Sequence, residues 1–187
     1  VFEQLLARLA QALDRAKLAY MVIGGQAVQL YGEPRLTRDI DITLAADADG
    51  LPVVSRLCAE TGLKPLVADP AAFVKETMVL PALDEPSGIR VDFIFSRSPY
   101  ERQAIERSRS VQLAGAGVRF AAVEDVVVHK LVAGRPRDIE DVRGILAKNP
   151  GLDRDYTERW LADFDRALAR DLLATLRRLL AELAPPA

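Results

Sequence analysis

One stretch limits what this chain can fold into: Gly24 to Leu44, reading GGQAVQLYGEPRLTRDIDITL. A short apolar run, Tyr20-Met21-Val22-Ile23, precedes it and reads as a buried strand. Gly24 and Gly25 end that strand in a turn that bulkier residues do not make easily. Gln26 to Tyr31 then predicts one or two helical turns, with Gly32 as the stop. Thirteen residues separate Gly25 from Asp39-Ile40-Asp41. From Arg38 to Leu44 the chain alternates, so Asp39, Asp41 and Thr43 share one strand face and Ile40, Ile42 and Leu44 the other. Two carboxylates on one face, beside a glycine turn at a helix start, suit a metal-bound triphosphate. Carboxylate oxygens take hard cations, and the N–H groups of the turn take phosphate oxygens.

The pattern GG…R-x-T-x-D-x-D resembles the nucleotidyltransferases of the polymerase-beta-like superfamily. Arg35, Thr37, Asp39 and Asp41 look most like its AbiEii-like branch, the enzymes of type IV toxin–antitoxin systems. That resemblance implies an α/β (α+β) nucleotidyltransferase core with a mixed sheet, followed by an all-helical C-terminal half. It implies transfer of a nucleoside monophosphate from an NTP to a hydroxyl. Two Mg²⁺ ions, or Mn²⁺ in their place, would sit between Asp39, Asp41 and a third acid on a later strand. Gly24, Gly25 and Gln26 would fix the triphosphate, and Thr37 joins them in the nucleotide-binding set. Arg35 would neutralise phosphate or pair with an acid. Many members carry serine where Gly25 stands, so backbone N–H groups would replace a hydroxyl contact here.

The third acid falls in Val91-Asp92-Phe93-Ile94-Phe95. A carboxylate inside so apolar a strand needs a reason, because an unpaired buried charge is costly. Asp92 is either a third metal ligand or an exposed residue on an edge strand, or it partners a nearby arginine. The resemblance favours the ligand. Ile89 to Phe95 reads as one strand of a hairpin and Phe73 to Leu80 as the other, joined through residues 84–88.

Around these elements, residues 2–18 place Phe2, Leu5, Leu6, Leu9, Leu13 and Ala16 at helical spacing. Leu51 to Thr61 is a second helix stopped by Gly62, with Val53, Val54, Leu57 and Cys58 inward. Cys58 reads as a small core residue rather than a nucleophile. Residues 63–67 suit a short strand, and Tyr100 to Arg109 a helix whose arginines form a solvated face with Glu101 and Glu106. Val111–Leu113 and Val118–Phe120 flank a glycine turn. Helices follow from Val123, from Arg137 to Lys148, and over roughly 154–168 and 170–183. A catalytic core over residues 1–120 and a helical domain over 121–187 are expected.

The helical half holds His129-Lys130 and, eight residues after Lys130 across a Gly/Pro turn, Asp138. AbiEii-like enzymes carry a helical lysine followed by Arg-Asp-x-x-Asp, and Lys130 with Arg137-Asp138 matches. Lys130 would neutralise triphosphate charge, or sit as an exposed helix lysine. Asp138 would steady Lys130 or orient the acceptor hydroxyl; its structural reading is a helix N-terminal residue or an ion pair with Arg135. Asp141 follows one turn later. His129, the one histidine, is read as packing or capping.

Composition narrows the classes. No apolar run approaches the roughly 18 residues of a membrane span, and the first twenty residues carry Glu3, Arg8, Asp14 and Arg15, unlike a signal peptide. One cysteine excludes an internal disulfide and a thiolate zinc site, so a cytoplasmic protein without a membrane partner is expected. A net charge of −2 argues mildly against extensive nucleic-acid contact. The resemblance nonetheless suggests tRNA or another macromolecule as acceptor, with a cognate antitoxin as partner. A protein hydroxyl or an aminoglycoside is the alternative acceptor. A non-catalytic nucleotide-binding or antitoxin module is the alternative of a different class.

Overall fold

The computed structural model describes residues 1–34, 36–96 and 98–183. Among them the strands form one seven-stranded mixed sheet, and the C-terminal part is helical. The chain divides into two compact units, one made of Val1–Gln26 with Leu36–Ala121, the other of Ala27–Arg35 with Ala122–Ala187.

The first unit opens with α1 (Phe2–Arg15), whose Leu5, Leu6, Leu9 and Leu13 are all buried. Each such leucine contributes about 1.5–3 kcal/mol when taken from water. The strands are β1 (Tyr20–Ile23), β2 (Asp39–Leu44), β3 (Lys64–Pro65), β4 (Val79–Asp84), β5 (Ile89–Phe95), β6 (Arg109–Leu113) and β7 (Ala116–Phe120). Their order across the sheet is β3-β4-β5-β2-β1-β7-β6. β2 lies antiparallel to β1 and parallel to β5, so the acidic strand is central. Ile40, Ile42 and Leu44 are at most 1% exposed, while Asp39 and Asp41 remain accessible on the opposite face. Thr43, which shares the face of the two acids, is buried as well.

α2 (Gly24–Tyr31) follows β1 without a loop, and its first residue, Gly24, makes the left-handed turn between them at φ +67°. Within α3 (Leu51–Thr61), Val54, Leu57 and Cys58 face inward as expected, but Val53 is 40% exposed. Burial pushes the Cys58 thiol up to about 12, which leaves no thiolate at neutral pH. The expected strand over 73–80 is replaced by α4 (Pro70–Thr77), with β4 beginning only at Val79. The cause is local: the Asp69 carboxylate accepts from the Ala72 N–H at 3.0 Å, and Pro70 opens the first turn. α5 (Pro99–Glu106) is started by Ser98, whose hydroxyl oxygen accepts from the Glu101 N–H.

The second unit contains α6 (Val123–Ala133), α7 (Pro136–Lys148), α8 (Arg154–Leu168) and α9 (Leu172–Glu182). α6 packs on α7, α8 and α9, and Val126, Val127 and Leu131 are at most 1% exposed. The later part of α2 belongs here too. The Asn149 side-chain amide donates to the Tyr31 carbonyl at 2.8 Å, and Lys148 Nζ donates to the Gly32 carbonyl at 3.0 Å. A Cβ on Gly32 would lie 3.0 Å from Ile145. At the other side of α6, the Tyr156 hydroxyl donates to the fully buried Asp125 at 2.7 Å. No described helix is long and apolar enough to cross a membrane.

Candidate active site

The register of β2 and β5 decides how the acids are arranged. Asp41 stands directly opposite Asp92, and Asp39 directly opposite Arg90. Neighbouring strands lie about 4.8 Å apart, and opposite residues of a parallel pair project to the same face. Asp39, Asp41 and Asp92 therefore share one face of the sheet. Asp92 is not on an edge strand, because β5 is flanked by β4 and β2. Its side chain is 18% exposed, and one of its oxygens accepts from Arg90 Nε at 2.8 Å. The alternative of an arginine partner is thus realised within the same acidic face.

β1 brings the glycines to this face. Ile23 pairs with Asp41, so Gly24 follows immediately beside the carboxylate. Gly24 has φ +67°, and a Cβ built there would lie 1.9 Å from Asp41 Oδ2. Both the backbone angle and the close approach exclude a side chain. Gly25 and Gln26 form the first turn of α2 and are buried, Gln26 to 8% exposure. The Thr37 hydroxyl donates to the Asp39 carbonyl at 3.4 Å, a weak tie at the entry of β2. Arg35 lies outside the described residues.

Sequence reasoning does not single out Arg90, although a strand alternation that places Asp92 on the acidic face also places Arg90 there. The hydrogen bond to Asp92 is the first cause that holds its pKa above the ordinary arginine value. Partial burial opposes this, and the charges of Asp92, Asp39 and Asp41 add to it.

Among the described residues, no three His, Cys, Asp or Glu side chains converge into a ready-made metal cage. The donor set still fits a hard divalent cation. Asp41 and Asp92 stand opposite one another on two paired strands, Asp39 shares their face, and carboxylate oxygens are the donors a hard cation takes.

Lys130 and Asp138 meet in the second unit. Lys130 Nζ lies 2.8 Å from Asp138 Oδ1 and 2.9 Å from Asp141 Oδ2, and all three residues are buried. Lys130 is therefore not an exposed helix lysine. Asp138 also accepts from Arg135 Nε at 2.6 Å and from the Arg135 backbone N–H at 3.2 Å, capping the start of α7. Burial pushes the Asp138 carboxyl up, but the bonds from Arg135 and Lys130 outweigh it and hold the group below the usual carboxylate range. The Arg135 side chain is 74% exposed, so it carries the solvent-facing charge of this group. His129 is half-buried on α6 beside Lys130 in sequence.

A mixed sheet with a glycine-opened helix and an acidic central strand is the nucleotidyltransferase fold. The ANT(2'')-Ia structure in complex with adenylyl-2''-tobramycin superposes with a TM-score of 0.60 at 17% identity, covering 89% of this chain and 97% of that one. An antigenic nucleotidyltransferase-like protein from Paracoccidioides brasiliensis gives 0.57 at 19% identity, covering 94% and 91%. The lincosamide adenylyltransferase LnuA, lincomycin-bound, gives 0.53 at 18% identity, covering 76% and 94%. The chain itself belongs to the family described as nucleotidyltransferase of unknown function (DUF6036), whose profile matches residues 1–165. No curated protein matches it at a significant level.

Proposed function

We propose that this chain is an enzyme that transfers a nucleoside monophosphate from an NTP to a hydroxyl acceptor, on the sheet face that carries Asp39, Asp41 and Asp92. The observation that carries this reading is the register that sets Asp41 against Asp92, with Gly24 pressed on the Asp41 carboxylate. Asp39, Asp41 and Asp92 would hold two Mg²⁺ ions, or Mn²⁺. Once bound, these supply charge neutralisation for the triphosphate and a lowered pKa for the attacking hydroxyl.

The chain's own residues do the rest. Gly24, Gly25 and Gln26 open α2, where the first N–H groups have no intrahelical partner and can donate to phosphate oxygens. Gln26 acts through its backbone, because its side chain is buried. Thr37 and Arg35 stand on the segment that leads into the acidic strand and belong to the nucleotide-binding set. Asp138 and Asp141 hold Lys130, so the Lys130 ammonium keeps little uncompensated charge for a phosphate. Its part is to fasten α7 to α6 within the second unit. Catalysis is positioning and charge stabilisation, without a covalent enzyme intermediate.

For the acceptor, the motif from Arg35 to Asp41 supports the AbiEii-like reading: a toxin-type enzyme of the cytoplasm acting on tRNA or another macromolecule and restrained by a cognate antitoxin. A second reading has its own support. The likeness to ANT(2'')-Ia covers 97% of a chain seen with adenylyl-2''-tobramycin, which favours a small-molecule hydroxyl. The test is transfer from α-labelled ATP, CTP, GTP and UTP in Mg²⁺ to total tRNA, lysate protein and an aminoglycoside panel. Label on tRNA or protein supports the toxin-type reading, and label on an aminoglycoside the small-molecule one. Mg²⁺-dependent nucleotide binding with no transfer to any acceptor would make the chain a binding module instead.

A further inference from the structure

The face assigned to metal and triphosphate carries a fourth charged residue, Arg90, with no part in that assignment. Asp39 faces Arg90 and Asp41 faces Asp92, so the four side chains form a two-by-two array with three negative charges and one positive. Like charges directly opposite each other on paired strands are destabilising. The guanidinium is the compensation in the array itself: its Nε donates to Asp92 Oδ1 at 2.8 Å. Half of the Arg90 side chain is exposed, against 18% of Asp92, so the pair can open toward solvent without unpacking the sheet. A guanidinium keeps its charge at any pH at which a protein is folded, so this compensation never titrates away.

We propose that Arg90 is an internal stand-in for a divalent cation, neutralising the acidic face in the metal-free protein and yielding Asp92 when an ion binds; the role rests on the assignment of this face to metal. An incoming ion needs the Asp92 carboxylate, one oxygen of which is committed to Arg90. It also meets a positive charge on the neighbouring residue of the same face. A unit charge about 5 Å from a dication in a water-like dielectric weakens binding by about tenfold. Arg90 therefore lowers metal affinity and protects the empty site from self-repulsion.

The experiment is Mn²⁺ binding by calorimetry to the full chain, in wild type, Arg90→Gln and Arg90→Lys, with thermal melts in EDTA and in Mn²⁺. Arg90→Gln is expected to bind Mn²⁺ about tenfold more tightly, whereas Arg90→Lys, which keeps the charge, stays within about threefold of wild type. In EDTA, Arg90→Gln melts below wild type, and saturating Mn²⁺ narrows that gap. Equal or weaker Mn²⁺ affinity in Arg90→Gln overturns the stand-in role while leaving the metal site intact. Flat titrations for both wild type and Arg90→Gln overturn the reading of the face as a metal site, and the stand-in role with it.

Discussion

Gly24 shows how narrowly single positions are specified. At φ +67° and with Asp41 Oδ2 where a Cβ would go, Gly24→Ala meets both a left-handed backbone penalty and an overlap. It should lose about 2–4 kcal/mol in a denaturant titration, and it should lose transfer activity even where the protein stays folded, because Asp41 must move. Asp138 is a residue whose titration bears on stability. Its folded pKa lies below the ordinary carboxylate value, so the stability it contributes is complete above about pH 4 and is lost as pH falls through the lower folded value. Asp138→Asn should therefore melt below wild type at about pH 7, with the gap closing as the pH falls into the acid limb. A gap that is constant with pH would mean that the carboxylate's charge is not what matters. Legibility at this scale is uneven. Gly24, Asp39, Asp41 and Asp92 can be picked out because glycine and acids are conspicuous beside apolar strand residues. Arg90 cannot, because an arginine at a strand start looks like ordinary solvent-facing charge until the β5 register sets it opposite Asp39.

At the scale of elements, Lys130 fastens the start of α7 to α6. Its ammonium is shared by two buried carboxylates, so Lys130→Ala leaves both without it, at a cost of about 3–5 kcal/mol. For a chain of this size that corresponds to a fall in melting temperature on the order of 10 °C. A loss of activity in that variant is informative only beside its melt, and an unchanged melt would contradict the buried-triad account. Helices with strong end signals are readable: α3 begins and ends where Leu51 and Gly62 place it, and α8 spans the predicted range. α4 is not, because Phe73 and Val74 look like strand residues, while the signal that decides is the Asp69-Pro70 cap upstream. The spacing of Lys130 and Asp138 is visible in the sequence, but their burial is not, since a lysine eight residues from an aspartate across a turn carries no mark of being inside.

For the molecule as a whole, the fold class follows from one ordering decision. β2 sits centrally, antiparallel to β1 and parallel to β5, so the acids of two non-adjacent segments come together only after the sheet has assembled. Local periodicity marks the strands but carries no information about that order. The net charge of −2 limits what a nucleic-acid acceptor could rely on. If labelled transfer to tRNA is found, it should depend weakly on salt, because few phosphate contacts can be made by cations of an acidic chain. A steep salt dependence would instead require a basic partner or patch. The most direct test of the central claim is pyrophosphate release from an NTP in Mg²⁺, with a competent acceptor, in wild type and in Asp39→Ala, Asp41→Ala and Asp92→Ala, each checked by a thermal melt. The β2/β5 acidic face predicts at least about a hundredfold loss in every variant with melting preserved; full activity in folded Asp41→Ala would contradict it.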